Sequence, residues 1–133
     1  MTVVIYHNPD CGTSRNVVRF AQAAGANPII IEYLQTGWTK AQLQGLFAAA
    51  NLTPDQALRR MKSPASALNL LEETDPEVLL DAMVTHPILV NRPFVCSPKG
   101  TALCRPSDAV FPLLDLEKGQ EFTSETGDLV FKT

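Results

Sequence analysis

Chemistry in this chain begins at Cys11, set in the stretch His7-Asn8-Pro9-Asp10-Cys11-Gly12-Thr13-Ser14-Arg15. A β-branched run precedes it and a stretch of helical period follows, so the thiol falls where the first N–H groups of a helix lack intrahelical partners and carry partial positive charge. A thiolate, the nucleophilic form of cysteine, is favoured there. The magnitude needed is substantial. At an ordinary pKa near 8.5 about 3% of a thiol is ionised at pH 7, and bringing that value to about 6.5 takes roughly 2.7 kcal/mol. A helix end supplies at most about 2 kcal/mol, so a cation must add the rest. Arg15, four residues on and on the same helix face, is one candidate, and Thr13 and Ser14 add hydroxyl donors. A lone cysteine is more commonly a small buried hydrophobe, and the loop position sets Cys11 apart from that pattern. Its spacing is C-x-x-S, so no motif partner can close a local disulfide with it, and a second thiol must come from elsewhere or from another molecule.

Planar guanidinium groups match tetrahedral oxyanions with paired hydrogen bonds, which directs attention to the arginines. Most single arginines are solvated or salt-bridged surface groups. Arg92 and Arg105 stand apart, each at the end of an expected strand and each before a proline that restricts its backbone. Arg59 and Arg60, expected on a helix, point about 100° apart, so only one of them would face a site. His7, near the Cys11 loop, is placed to tune the thiol, whereas His86, before Pro87, reads as a helix-end residue. The two histidines and Cys11, Cys96 and Cys104 fit no metal-ligand spacing, so no metal site is expected. Cys96 and Cys104 alternate with apolar neighbours and read as packing.

The elements that must position these groups follow from periodicity. Thr2 to Tyr6 reads as a buried strand, Thr13 onward as a helix closed by Gly25, and Pro28 to Leu34 as a second strand at a crossover length suited to a parallel βαβ unit. Thr39 to Ala50 predicts a helix, Thr53-Pro54-Asp55 opens another through Arg60, and Thr74-Asp75-Pro76-Glu77 opens a third that Pro87 stops. These make a helical insert over about residues 39–86. Ile88 to Val90, Phe94 to Cys96 and Thr101 to Cys104 are expected strands, with a hairpin turn at Pro98-Lys99-Gly100. Pro106-Ser107-Asp108 opens a last helix through about Leu114, and residues 117–133 are expected to be a polar, loosely attached tail. The order is βαβ, helical insert, ββ, α, an α/β arrangement of thioredoxin-like type.

Composition narrows the class of protein. The 133 residues suit one domain, and the 45% hydrophobic and 19% charged fractions are those of a globular chain. No window approaches the roughly 18 apolar residues of a membrane span. A formal net charge of −3 gives no case for a nucleic-acid partner, although a few focused arginines can still bind a small anion. Met1-Thr2-Val3-Val4-Ile5 is not a signal peptide, so a cytoplasmic address is expected, and three widely spaced cysteines argue against a disulfide framework.

Tyr6 to Asn16 closely resembles the active-site signature of the glutaredoxin-dependent arsenate reductases of the ArsC family. The likeness continues through Ile31-Glu32-Tyr33-Leu34, Leu58-Arg59, His86 to Pro93 and Gly100 to Pro106, and so spans the chain to about Leu114. The resemblance implies a thioredoxin-like fold with an inserted helical segment. It also implies a reaction in which Cys11 attacks arsenate, glutathione adds to the arsenic, glutaredoxin takes up the electrons and arsenite is released. On the same footing Arg59, Arg92 and Arg105 would bind the anion, His7 and Ser14 would lie beside the nucleophile and lower its pKa, and Pro93 would be a cis-proline against the active-site loop. No bound cofactor is implied, with glutathione as co-substrate, and the chain is expected to be a monomer. Two departures are Asp10, a negative charge beside Cys11, and Lys62-Ser63. Relatives of this fold also include Spx-type regulators that bind RNA polymerase, against which Ser14 and the full arginine set argue, and YffB-like glutathione-dependent thiol reductases with another substrate.

Overall fold

A computed structural model describes residues 1–133, which divide into two compact units: residues 1–32 with 92–133, and residues 33–91. The first contains a four-stranded sheet in the order β2-β1-β3-β4, formed by β1 (Val4–Tyr6), β2 (Ile29–Ile31), β3 (Phe94–Ser97) and β4 (Gly100–Leu103). β1 pairs parallel with β2 through α1 (Gly12–Ala23) and antiparallel with β3, which pairs antiparallel with β4. The βαβ unit and the β3–β4 hairpin expected from the sequence are both present. α1 forms because Val17, Phe20 and Ala21 recur on one face and are buried, and it ends where Gly25 takes a φ of +87°, a conformation open to glycine.

Alternation along β1 sends Val3 and Ile5 into a core shared with Val17, Phe20, Val95, Cys104, Val110, Phe111 and Phe122. The residues after β4 close this core as a 3₁₀ helix, Ser107–Leu113, rather than the α-helix expected there. Pro112 inside the segment cannot donate to an α-helical ladder, which accounts for the difference. Residues 117–133 are not a loose tail. They build a hairpin of β5 (Glu121–Thr123) and β6 (Leu129–Lys132), because Phe122 and Phe131 give an otherwise polar segment an apolar anchor. Phe131 stacks on Phe111 with ring centroids 4.2 Å apart, and Phe122 meets the same ring at 4.8 Å.

The second unit carries α2 (Tyr33–Thr36), α3 (Lys40–Ala49) and α4 (Pro76–Thr85). β2 therefore stops at Ile31, short of the Leu34 expected, and Tyr33 turns into a helix stacked on Trp38 at 5.3 Å. α3 starts at a full capping box, with the Thr39 hydroxyl accepting from the Gln42 amide and the Gln42 side chain accepting from the Thr39 amide. α4 starts at Asp75, whose carboxylate accepts from the Glu77 amide, with Pro76 in the first turn.

The helix expected from Thr53 to Arg60 does not form. Its cap does, since Thr53 and Gln56 exchange the two bonds of a capping box, but after one turn Leu58 pairs with Val90 across an antiparallel bridge and the Arg59 amide donates to the Leu89 carbonyl at 2.7 Å. Arg59 thus sits on an extended stretch, not a helix. The same bridge takes Val90 out of the expected Ile88–Val90 strand, and Pro87–Leu89 is a 3₁₀ turn. No helix in the chain is long and apolar enough to cross a membrane.

Phe122 is 1% exposed among three aromatic rings, those of Phe20, Phe111 and Phe131, so Phe122→Ala is expected to cost about 3–5 kcal/mol, measured as a shift in the urea midpoint at unchanged slope.

Candidate functional site

One end of the sheet collects the groups that the sequence singles out within the first unit. β1 runs out at Tyr6 opposite Phe94, the first residue of β3, while Leu103, the last residue of β4, faces Phe94 from the other side. Continuing these antiparallel registers outward puts Pro93 opposite Cys104 and Arg92 opposite Arg105. The Cys104 amide accordingly donates to the Pro93 carbonyl at 2.8 Å, and the Arg105 guanidinium reaches the Arg92 carbonyl at 3.2 Å. Strand pairing alone thus delivers two arginines from distant sequence to the edge where the chain leaves β1 for the Cys11 loop. The Arg92-Pro93 peptide is cis, as expected for Pro93, and so is Arg105-Pro106.

The loop itself is cross-braced. Asn8 is 4% exposed, and its side-chain oxygen accepts from the Asp10 amide at 2.9 Å while its carbonyl accepts from the Cys11 amide at 3.1 Å. Ser14 is fully buried, and its hydroxyl accepts from the Asn8 amide at 3.1 Å. The same hydroxyl lies 2.5 Å from His7 Nδ1. Burial, reinforced by the Arg15 charge, holds His7 below its ordinary pKa against the pull of Glu32, so at neutral pH the ring is uncharged. With its oxygen already accepting from Asn8, Ser14 can donate its one proton to the neutral Nδ1. His7 therefore orients Ser14. Asn8 was not among the residues marked for a role from sequence; its signal was the Asn-Pro-Asp turn itself, an Asx-type bend.

Cys11 occupies the N-cap position of α1 with an extended backbone, φ −103° and ψ 119°, and is 6% exposed. Burial pushes its thiol up, but the Ser14 backbone N–H, the Arg92 charge, and the hydrogen bond and charge of Arg105 together bring it below the ordinary thiol value. Arg105 Nη1 lies 3.5 Å from Cys11 Sγ. The cations that lower the thiol are thus chiefly Arg92 and Arg105, while the Arg15 charge lies close enough to be felt by the Cys11 thiolate. Arg15 turns away, donating from Nε and Nη2 to the two carboxylate oxygens of Glu125 at 2.9 Å each and from Nη1 to the Pro9 carbonyl at 2.9 Å.

The remaining thiols differ. Cys104 is fully buried, and burial together with the nearby Cys96 pushes it up to about 12, so it stays a thiol at any physiological pH. Cys96 is half-buried in β3. Arg59 belongs to the second unit, where it is 9% exposed and its Nε donates to the Met61 carbonyl at 3.1 Å; Arg60 is exposed and bonds Leu71 and Asp55.

Because the thiolate is the reactive form, a lowered pKa makes the alkylation rate of Cys11 reach its plateau at lower pH than a free thiol does. In Arg105→Ala the donor and its charge are gone, the midpoint should move up, and the rate at pH 7 should fall. Iodoacetamide modification followed by peptide mass spectrometry across pH 5–9 reads both outcomes.

Comparison with known proteins identifies the family. Residues 6–111 match the ArsC family. The arsenate reductase ArsI2 of Synechocystis sp. is 62% identical over 129 residues, covering 96% of this chain and 92% of that protein. An arsenate reductase of Rhizobium meliloti is 49% identical, covering 98% of this chain and 94% of that protein, and one of Escherichia coli is 44% identical, covering 96% and 92%. Among solved structures, an arsenate reductase from Vibrio cholerae superimposes with a TM-score of 0.80 at 32% identity, covering 86% of this chain and 98% of that one. With a family match across the cysteine loop and both strand-end arginines, and relatives of 44–62% identity along nearly its whole length, the chain belongs to the ArsC family.

Proposed function

We propose that this protein is an arsenate reductase in which Cys11 is the nucleophile. The observation that carries the reading is a thiol held below its ordinary pKa, against burial, by the Ser14 N–H, Arg92 and Arg105 at one sheet edge, in a chain whose relatives are named for that activity. Near neutral pH arsenate is largely a dianion, so an attacking thiolate meets like charge unless cations offset it. Arg92 and Arg105 serve both purposes, stabilising the thiolate before the substrate arrives and its oxygens afterwards. Arg59 is assigned to the same anion on the strength of the family likeness.

Cys11 sulfur attacks arsenic and displaces one oxygen as water after protonation, leaving a thiol–arsenate adduct still at As(V). Glutathione adds to the arsenic through its sulfur and a second oxygen leaves as water. A glutaredoxin thiol then attacks the glutathione sulfur. The mixed disulfide departs with two sulfurs oxidised, the electron pair stays on arsenic as As(III), and hydrolysis releases arsenite and regenerates Cys11. C-x-x-S spacing suits this route, since the second thiol comes from outside. His7 and Ser14 act by holding the loop whose Ser14 N–H meets the sulfur, and Pro93 supports that loop from the start of β3. The reaction needs no bound cofactor, and we place it in the cytoplasm, where low-molecular-weight thiols are kept reduced.

Purified protein with arsenate, glutathione, glutaredoxin and an NADPH-coupled reporter should turn over, and Cys11→Ser should abolish the activity. Arg92→Ala and Arg105→Ala should each cost about 10–100-fold in kcat/KM, the worth of a charge-assisted hydrogen bond to the reacting anion. Absence of turnover together with no arsenic adduct on Cys11 in intact-mass spectra would exclude the assignment.

A further inference from the structure

The C-terminal hairpin reaches the Cys11 loop through a single carboxylate. Glu125 sits in the turn between β5 and β6, outside the matched family region of residues 6–111, and its amide donates to Asn16 Oδ1 at 2.8 Å. Both its carboxylate oxygens accept from Arg15 at 2.9 Å. That fork leaves Arg15 Nη1 aimed at the Pro9 carbonyl, two residues before the thiol. The pair lies directly over the first residue of α1, where a Cβ built on Gly12 would meet Arg15 Nη2 and Glu125 Oε1 at 3.6 Å each. A second attachment, Arg19 to the Thr123 carbonyl and hydroxyl at 2.8 and 3.1 Å, joins the same hairpin to α1 and makes no bond to the loop.

From this geometry we infer that Glu125 is a positioning residue for the Cys11 loop, acting through Arg15 on the Pro9 carbonyl. An arginine one turn into α1 has room to swing, and left to itself it would follow the nearest anion, whether the Cys11 thiolate or an incoming oxyanion. Bidentate pairing fixes the guanidinium plane and spends that freedom on the loop backbone. The side chains of Arg15 and Glu125 are 44% and 36% exposed, so the pair contributes little to global stability. Its effect is local: Asn8 and Ser14 brace the loop from inside, and Arg15 with Glu125 braces it from outside. The inference rests on Cys11 being the nucleophile proposed above, but the bracing has a readout of its own.

Glu125→Ala, Glu125→Gln and Arg19→Ala in the full-length protein separate the possibilities. Amide hydrogen exchange at Cys11, whose N–H is bonded to the Asn8 carbonyl, should rise about tenfold or more in Glu125→Ala, while the melting temperature stays within about 3 °C of wild type. Glu125→Gln, which keeps one acceptor for Arg15, should fall between. Arg19→Ala, which loosens the hairpin without touching the loop, should leave exchange at Cys11 at its wild-type value. In arsenate turnover, misplacement of the sulfur should lower kcat of Glu125→Ala by about 10–100-fold with KM within about twofold. Wild-type exchange at Cys11 in Glu125→Ala would overturn the inference, and so would an equal rise in Arg19→Ala. If the wild type does not reduce arsenate at all, the exchange result still decides the bracing on its own.

Discussion

Everything at the candidate site depends on β3 being paired on both sides. A strand with neighbours on each edge has its register specified twice, once by β1 and once by β4, and a slip of one residue would send every side chain to the opposite face. That double constraint carries Arg92, just before β3, to the end of β1 and sets it opposite Arg105, just after β4, so two like charges fall at the same edge. Left alone they would repel. What makes the arrangement tenable is the Arg92 carbonyl, which accepts from Arg105, and the Cys11 sulfur, whose ionised form both charges favour. The thiolate is the anion that the chain itself brings to these two charges.

Magnitudes explain why a helix terminus is insufficient. The sulfur is nearly buried, and burial opposes ionisation more than any single favourable interaction supports it. Three contributions from two chain segments are needed to reverse the sign: an N–H from the start of α1 and two guanidiniums from the β3–β4 hairpin. Cys104 shows the opposite limit, a thiol one residue from Arg105 in sequence whose burial wins and leaves it inert. Proximity along the chain therefore says little about ionisation; Cys104 packs in the apolar core, whereas Cys11 caps α1 within reach of the Arg105 guanidinium.

Much of this was legible from local signals. Apolar spacing marked α3 from Thr39, the start signal Thr74-Asp75-Pro76-Glu77 marked α4, Gly25 marked the end of α1, and the prolines after Arg92 and Arg105 flagged both arginines. Misreadings came where a local signal met a longer-range partner. Thr53 and Gln56 made the expected cap, but Leu58 had Val90 to pair with, and the helix stopped after one turn. Arg15 had the right spacing to serve Cys11, but its guanidinium forks onto Glu125, more than a hundred residues away, and reaches the thiolate by charge alone. The terminal hairpin hid in the composition because its two core phenylalanines are diluted among polar neighbours.

Arg105 and Cys11 are separated by 94 residues, and the contact between them closes only when the C-terminal third of the chain is in place. During synthesis the cysteine emerges early, long before either strand-end arginine exists, and until then it is an ordinary thiol with no special appetite for electrophiles. Its lowered pKa requires that long-range contact. A chain that has lost its C-terminal third keeps the cysteine but not the two guanidiniums that favour its thiolate, so the lowered pKa at this position is a property of the finished fold.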